Sequence, residues 1–296
     1  MEKTIRIITH SGSFHADELL AVAALEIYLK GKPYEVIRTR DPEVIATGDY
    51  VLDVGGVYDP ATNRFDHHQH GGADVRTNGI PYSSFGLVWK HYGEAIAGSK
   101  EVAEAIDRQI GYPVDLGDNG IEHYTKVRPD TDPLLLHFVV AMFRPTWKSS
   151  ESFDARFMEL VTFFRRMLEL AIVVEQDKIL GKQMVEAAYQ KAEDKRFILL
   201  DKPYPWQEVL AGHPEPLYVV KPKNQNTHFE VEAVRDNVYG FTSRKNLPIA
   251  WAGMTGEKLR EITGVPDAVF CHDKLYIAVA ESKEGALALA ELALNA

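Results

Sequence analysis

The strongest constraint on the fold is an alternation within the first 110 residues. Short β-branched runs give way, repeatedly, to apolar residues at helical spacing. Residues 4–9, with Ile5, Ile7 and Ile8, predict a strand that ends at His10. Residues 18–29 place Leu19, Val22, Ala23 and Ile27 on one helical stripe. Residues 35–39 and 50–54 predict two more strands, the second stopping at Gly55 and Gly56. Residues 83–92 and 101–110 predict helices. Strand, turn and helix in this rhythm predict an α/β fold, a parallel sheet with helices on both faces. Such sheets gather functional groups at the carboxyl ends of their strands. His10 and Asp53 fall there.

The pattern changes further on. Residues 134–193 read as mostly helical, with dense apolar periodicity over 153–180. A polar stretch, 191–196, then leads into short strand-like pieces at 197–200, 217–221, 229–234, 268–270 and 275–279. Helices are predicted at 256–263 and 284–293. This predicts a smaller α+β domain, so the domains are read as 1–190 and 191–296. A length of 296 residues suits two domains at roughly 100–200 residues each.

Composition removes several classes of protein. The single cysteine, Cys271, allows neither a disulfide framework within the chain nor a cysteine zinc knuckle. No apolar run approaches the roughly 20 residues of a membrane span, and residues 1–4 lead into the first strand without a signal-type core. A cytoplasmic protein without a membrane partner is expected. The net charge of -10 excludes a simple polycationic nucleic-acid binder. It leaves open an enzyme in which metal ions and local basic groups supply the positive field.

The chemistry-bearing residues form clusters. His10, His15, Asp17 and Glu18 surround the first predicted strand–helix turn. Asp53 ends the third strand. Asp66, His67, His68 and His70 follow in a polar connection. Imidazole and carboxylate suit divalent first-row metals, and three such clusters in one α/β stretch predict a metal site. His15 and Asp17, two apart, point the same way on an extended turn. Each residue also has a bland role: Asp17 as a helix N-cap, Asp66 as a turn residue. Residues 114–120 read as a turn because Asp-Asn-Gly is turn chemistry. They offer Asp118 as a further ligand, with Asp115 as the alternative. Asp66 or Glu18 can support a ligating histidine through its other ring nitrogen.

At these residues the chain resembles the DHH phosphoesterase superfamily, named for the triplet present here as Asp66, His67 and His68. It is most similar to the branch named after the melanocyte proliferating gene. The likeness extends over 9–18, 53–60, 64–69 and 114–121, Pro145 to Trp147, Pro205-Trp206, Ser243-Arg244 with Leu247-Pro248, and Gly285 to Leu287. It implies two divalent ions. His10, His15 and Asp53 would hold the first. Asp17, Asp53, His67 and Asp118 would hold the second, with Asp53 bridging. His68 and Asp66 would serve as catalytic groups, with His68 facing the scissile phosphate. The superfamily's usual aspartate is His15 here, a neutral ligand in place of an anionic one. The resemblance makes manganese the first expectation, and the loss of one anionic ligand opens the site to other first-row metals or magnesium.

The resemblance implies a metal-dependent phosphodiesterase acting on RNA or short oligonucleotides, a 3′-to-5′ exonuclease using two ions to activate water. A small-molecule phosphohydrolase acting on pyrophosphate or a dinucleotide is the nearest alternative. A metal- or nucleotide-binding regulator without turnover is the other. Arg244 is the expected phosphate contact, because guanidinium suits bidentate binding, and Lys148 is a second. A homodimer is compatible with the sequence.

Overall fold

The computed structural model describes residues 3–223 and 227–296. It forms two compact units, the first ending at Gln176 and the second beginning at Asp177.

The first unit is built on a five-stranded sheet of order β2-β1-β3-β5-β4. Its strands are β1 (Ile5–Thr9), β2 (Tyr34–Arg38), β3 (Tyr50–Leu52), β4 (Tyr58–Asp59) and β5 (Arg64–Phe65). β1 pairs in parallel with β2 and β3, and β3 with β5; only the edge strand β4 is antiparallel. The helices are α1 (Ala16–Leu29), α2 (Pro42–Ile45), α3 (Ser84–Ala97), α4 (Lys100–Ile106), α5 (Tyr112–Asp118) and α6 (Leu136–Phe143). Alternating strand residues feed two faces. Ile8 and Val51 are register partners and pack with Val44 and Ile45 of α2. On the other face, the rings of Tyr50 and Phe65 lie about 6 Å from Tyr92 of α3, which also meets Tyr28 of α1 at 4.4 Å.

Strand order reverses around β1: β2 lies on one side and β3 on the other. A crevice forms at the carboxyl ends of strands where the order turns back. The chain leaves β1 at His10 and β3 at Asp53.

α7 (Phe153–Lys191) is a single helix of 39 residues that runs through the division between the units and past the expected boundary at 190/191. The second unit carries β6 (Phe197–Leu199), β7 (Tyr218–Lys223), β8 (His228–Ala233), β9 (Ala268–Cys271) and β10 (Ile277–Ala280), ordered β6-β7-β8-β10-β9. β6 is parallel to β7 and the remaining pairs are antiparallel. α8 (Gln207–Ala211), α9 (Gly256–Thr263) and α10 (Lys283–Asn295) complete it. Tyr218, Val220, Val231, Ala278 and Ala280 form its core with Leu259 of α9 and Leu289 of α10. This mixed unit is α+β in pattern.

Two local readings change. Residues 114–118 are helical, the last turns of α5, and a π-helical segment (Asp107–Gly111) leads into them. The two-residue strands β4 and β5 and the four-residue α2 were too short to show any periodicity.

Candidate metal centre

β1 is β-branched and ends in fully buried Thr9, which delivers His10 to the sheet edge at 3% exposure. The chain then makes a short loop and enters α1 through a capping box: the His15 N–H donates to both carboxylate oxygens of Glu18, at 2.8 and 2.9 Å. Two arginines hold this loop. Arg144 donates through Nε and a terminal nitrogen to the Phe14 carbonyl at 2.8 and 2.5 Å, and Arg38 donates to the Gly12 carbonyl at 2.7 Å. The side chains of His10, His15, Asp17 and Glu18 are thereby fixed within nine residues of chain.

Asp53, just past β3, has φ +54°. The left-handed region is uncommon outside glycine, though aspartate tolerates it better than most residues. Its carboxylate lies 3.3 Å from His10 Nε2, 3.3 Å from His67 Nε2 and 3.3 Å from His68 Nδ1. Asp66, 1% exposed, accepts from the Gly56 N–H at 2.5 Å and the His68 N–H at 3.0 Å, and stands 2.8 Å from His68 Nδ1. It therefore shapes the 55–68 turn and orients the His68 ring, whose side chain is 62% exposed. His67 Nε2 lies 3.0 Å from Asp118, at the end of α5.

The pieces converge. Three sets of ligand atoms each fall within 4.8 Å of one another: His10, His15, Glu18 and Asp53; Asp53, His67 and His68; His15, Asp17 and Asp118. Asp53 belongs to two of the sets, and so does His15. All six residues expected as ligands are gathered here, and so is His68. Glu18, read from the sequence as a support for a ligating histidine, joins them: its carboxylate lies 3.1 Å from His10 Nε2 and falls within the first set.

The electrostatics are those of a site rich in carboxylate. Burial alone would lower His10, but the close carboxylates of Asp53 and Glu18 push it up to about 10. His67 rises to about 10 in the same way, because Asp118 and Asp53 outweigh burial. Asp53 resists the upward push of burial and is held down at about 2 by His10 and His67. Burial, then the charges of Asp53, Asp118 and Glu18, drive Asp17 well above the ordinary carboxylate range. Among the described residues Asp17 Oδ1, Asp53 Oδ1 and His67 Nε2 are buried without a hydrogen-bond partner. Asp53 Oδ1 and His67 Nε2 face each other at 3.3 Å without completing a hydrogen bond. Oxygen and imidazole donors that converge in a site of excess negative charge fit divalent cations.

Asp115 takes no part. It is buried against Arg76 and accepts from the Ser83 N–H and hydroxyl at 3.0 and 2.6 Å. Of the two aspartates left open by the sequence, Asp118 is the one beside His67. Arg244 is half-buried in the second unit, and its terminal nitrogens donate to the carbonyls of His213 (2.5 Å), Pro216 (3.0 Å) and Ala211 (2.7 Å). Lys148 is exposed, with Nζ 4.9 Å from the centroid of the Trp147 ring.

A cavity of about 1050 Å³ opens beside the cluster, and His15, His67, His68 and Asp118 are among the residues that line it. His123, His137 and Arg144 line it too. Sequence reasoning passed over them because each stands alone in a segment without a motif.

Fold and centre together define an α/β protein with a candidate divalent-metal centre at the switch point of a mainly parallel sheet. Residues 6–294 match the family MYG1_exonuc, described as "Uncharacterised protein family (UPF0160)", and the chain belongs to it. It is similar to proteins named MYG1 exonuclease from Homo sapiens (30% identical, covering 98% of this chain and 85% of the relative) and Bos taurus (31%, 98% and 84%). A MYG1 protein of Schizosaccharomyces pombe is 30% identical over 100% of this chain and 99% of its own.

Proposed function

We propose that the chain is a divalent-metal-dependent phosphodiesterase of the DHH type that hydrolyses RNA or short oligonucleotides from the 3′ end. One observation carries this reading: His10, His15, Asp17, Asp53, His67 and Asp118 bring their donor atoms into overlapping sets around shared points. The relatives named exonuclease support the nuclease class. The 3′-to-5′ direction and the RNA substrate rest on the resemblance of Asp66, His67, His68 and their neighbouring motifs to DHH phosphoesterases.

His10, His15 and Asp53 would hold one cation, with Glu18 close enough to share in it. Asp17, Asp53, His67 and Asp118 would hold the other. Bound cations of this kind activate water for in-line attack and neutralise charge on the phosphoryl oxygens. The chain's own contribution is positioning. Asp66 accepts from His68 Nδ1 and turns the opposite ring nitrogen outward, where it can donate a proton to the leaving oxygen. Arg144 and Arg38 hold the 11–15 loop so that His15 and Asp17 keep their places. Lys148 is a proposed substrate contact. Arg244 is a weaker one, since its terminal nitrogens already serve three carbonyls.

Hydrolysis of a 5′-labelled oligoribonucleotide with manganese tests the reading. A ladder shortening from the 3′ end, absent in Asp53→Ala, is expected. Equal signal from both proteins would overturn it. Cleavage of pyrophosphate with none of the oligonucleotide would favour the small-molecule alternative.

A further inference from the structure

The cavity beside the metal centre has two kinds of lining. His15, His67, His68 and Asp118 are polar; Ile110, Val114, Leu136, Phe138 and Met167 are apolar. α6 contributes Leu136, Phe138 and Ala141 to the apolar lining, and its sequence Leu-His-Phe-Val-Val-Ala-Met-Phe is apolar at seven of eight positions. A helix so apolar normally lies in a core. Here only Val140 is buried, and Phe138 is 40% exposed. Its ring lies 4.2 Å from that of His137, which also lines the cavity. An aromatic pair lining the same cavity as four candidate metal-site residues matches a molecule with one strongly anionic end and one flat, apolar end.

From this geometry we infer that the α6 wall seats the nucleobase next to the scissile phosphate, by stacking on Phe138 and His137. The inference rests on the phosphodiesterase reading and narrows it. An all-anionic substrate such as pyrophosphate has nothing to offer Leu136, Phe138 or Met167. A nucleotide has a π-face, and stacking accepts any base. A volume of about 1050 Å³ exceeds what a single nucleotide needs and leaves room for a sugar and a second residue. Recognition of the strand end would then lie within the first unit. It would require an unpaired base and be indifferent to base identity.

Titration calorimetry with manganese-loaded full-length protein tests this, using adenosine 5′-monophosphate against ribose 5-phosphate, the same anion without a base. Wild type is expected to bind the nucleotide at least about fivefold more tightly, the low end of base stacking on an aromatic side chain. Phe138→Ala should bring that ratio close to one while leaving ribose 5-phosphate affinity unchanged. Phe138→Trp should restore it, which separates lost stacking from a damaged fold. Equal affinities in wild type, or a ratio unaltered by Phe138→Ala, would overturn the inference. The underlying reading fails differently. Base-selective binding without hydrolysis of any oligonucleotide would sink the phosphodiesterase, whereas hydrolysis with base-blind binding would sink only the seat.

Discussion

Each unit of the molecule buries a cluster of charged side chains, and the two clusters are built on opposite terms. In the second unit, β7 and β8 set Lys221 directly across from Glu230. Lys221 pairs with Glu230 and, at 3.1 Å, with Glu232, and Lys223 reaches Glu230 at 3.5 Å. Cations and carboxylates there balance within the chain. In the first unit, Glu18, Asp53 and Asp118 lie against imidazoles and Asp17 crowds in beside them, and among the described residues no lysine or arginine forms an ion pair with any of the four. A buried charge needs a partner or a metal. The second cluster has its partners and is structural. The first looks outside the chain for its positive charge, and that contrast is the physical case for a metal centre.

Breaking the first cluster at its hub should have the largest effect. Asp53→Ala removes the group common to two of the three ligand sets. It should cut oligoribonucleotide hydrolysis by about a thousandfold or more, equivalent to about 4 kcal/mol of transition-state stabilisation. Product yield and metal content of the same preparations check this. The matching break in the second cluster is Lys221→Met, which leaves Glu230 and Glu232 buried opposite no ammonium but that of Lys223. It should destabilise the protein by about 3 kcal/mol in urea unfolding, with hydrolysis per folded molecule unchanged.

A subtler substitution should reverse the sign. Asp17→Asn removes one of several crowded carboxylates and keeps an oxygen for the Ser84 N–H. In chelator-treated protein it should add about 1 kcal/mol of stability, about 2–4 °C in melting temperature, while weakening manganese binding. Removing a charge would thus stabilise one cluster and destabilise the other.

The pH dependence follows from His10 and His67. Their folded-state values of about 10 lie above the unfolded 6.5. The stability they contribute is therefore full below pH 6.5 and is lost as pH rises from there towards 10. Chelator-treated protein should lose stability across that window in denaturant titrations. Manganese should abolish the loss, because it takes the place of the protons. The same competition should make manganese affinity rise with pH and binding release protons, as an indicator dye would record.

The smallest effect is expected at Arg244. Arg244→Lys should lower the stability of the second unit by about 1–2 kcal/mol, through loss of its carbonyl bonds, and should change KM less than Lys148→Ala does. The reverse order would restore Arg244 as the main phosphate contact.

The central features were legible because the side chains carrying them sit at strand ends, and strand ends can be read from β-branched runs. β1, α1 and β3 announced themselves, and with them His10, His15, Asp17 and Asp53. Asp118 was harder. Its Asp-Asn-Gly run resembles a turn, yet α5 continues through Asp118 because residues 112–118 pack as helix behind it. The choice between Asp115 and Asp118 depended on Arg76, 39 residues away in sequence, which claims Asp115. No local pattern carries such a pairing. Glu18 was legible only as a support for a ligating histidine; that its carboxylate meets both His10 Nε2 and the His15 N–H depends on how α1 begins. The α6 wall was hidden because an apolar helix reads as core, and only coordinates reveal that Phe138 faces an opening.

The claim on which the rest depends is that the first unit binds divalent cations through these side chains. Equilibrium dialysis against manganese, with the bound metal counted per chain by mass spectrometry, tests it most directly. Two ions per chain in the wild type, falling to one or none in Asp53→Ala, is the expected result. A wild-type chain that retains no manganese at millimolar concentration would contradict the account.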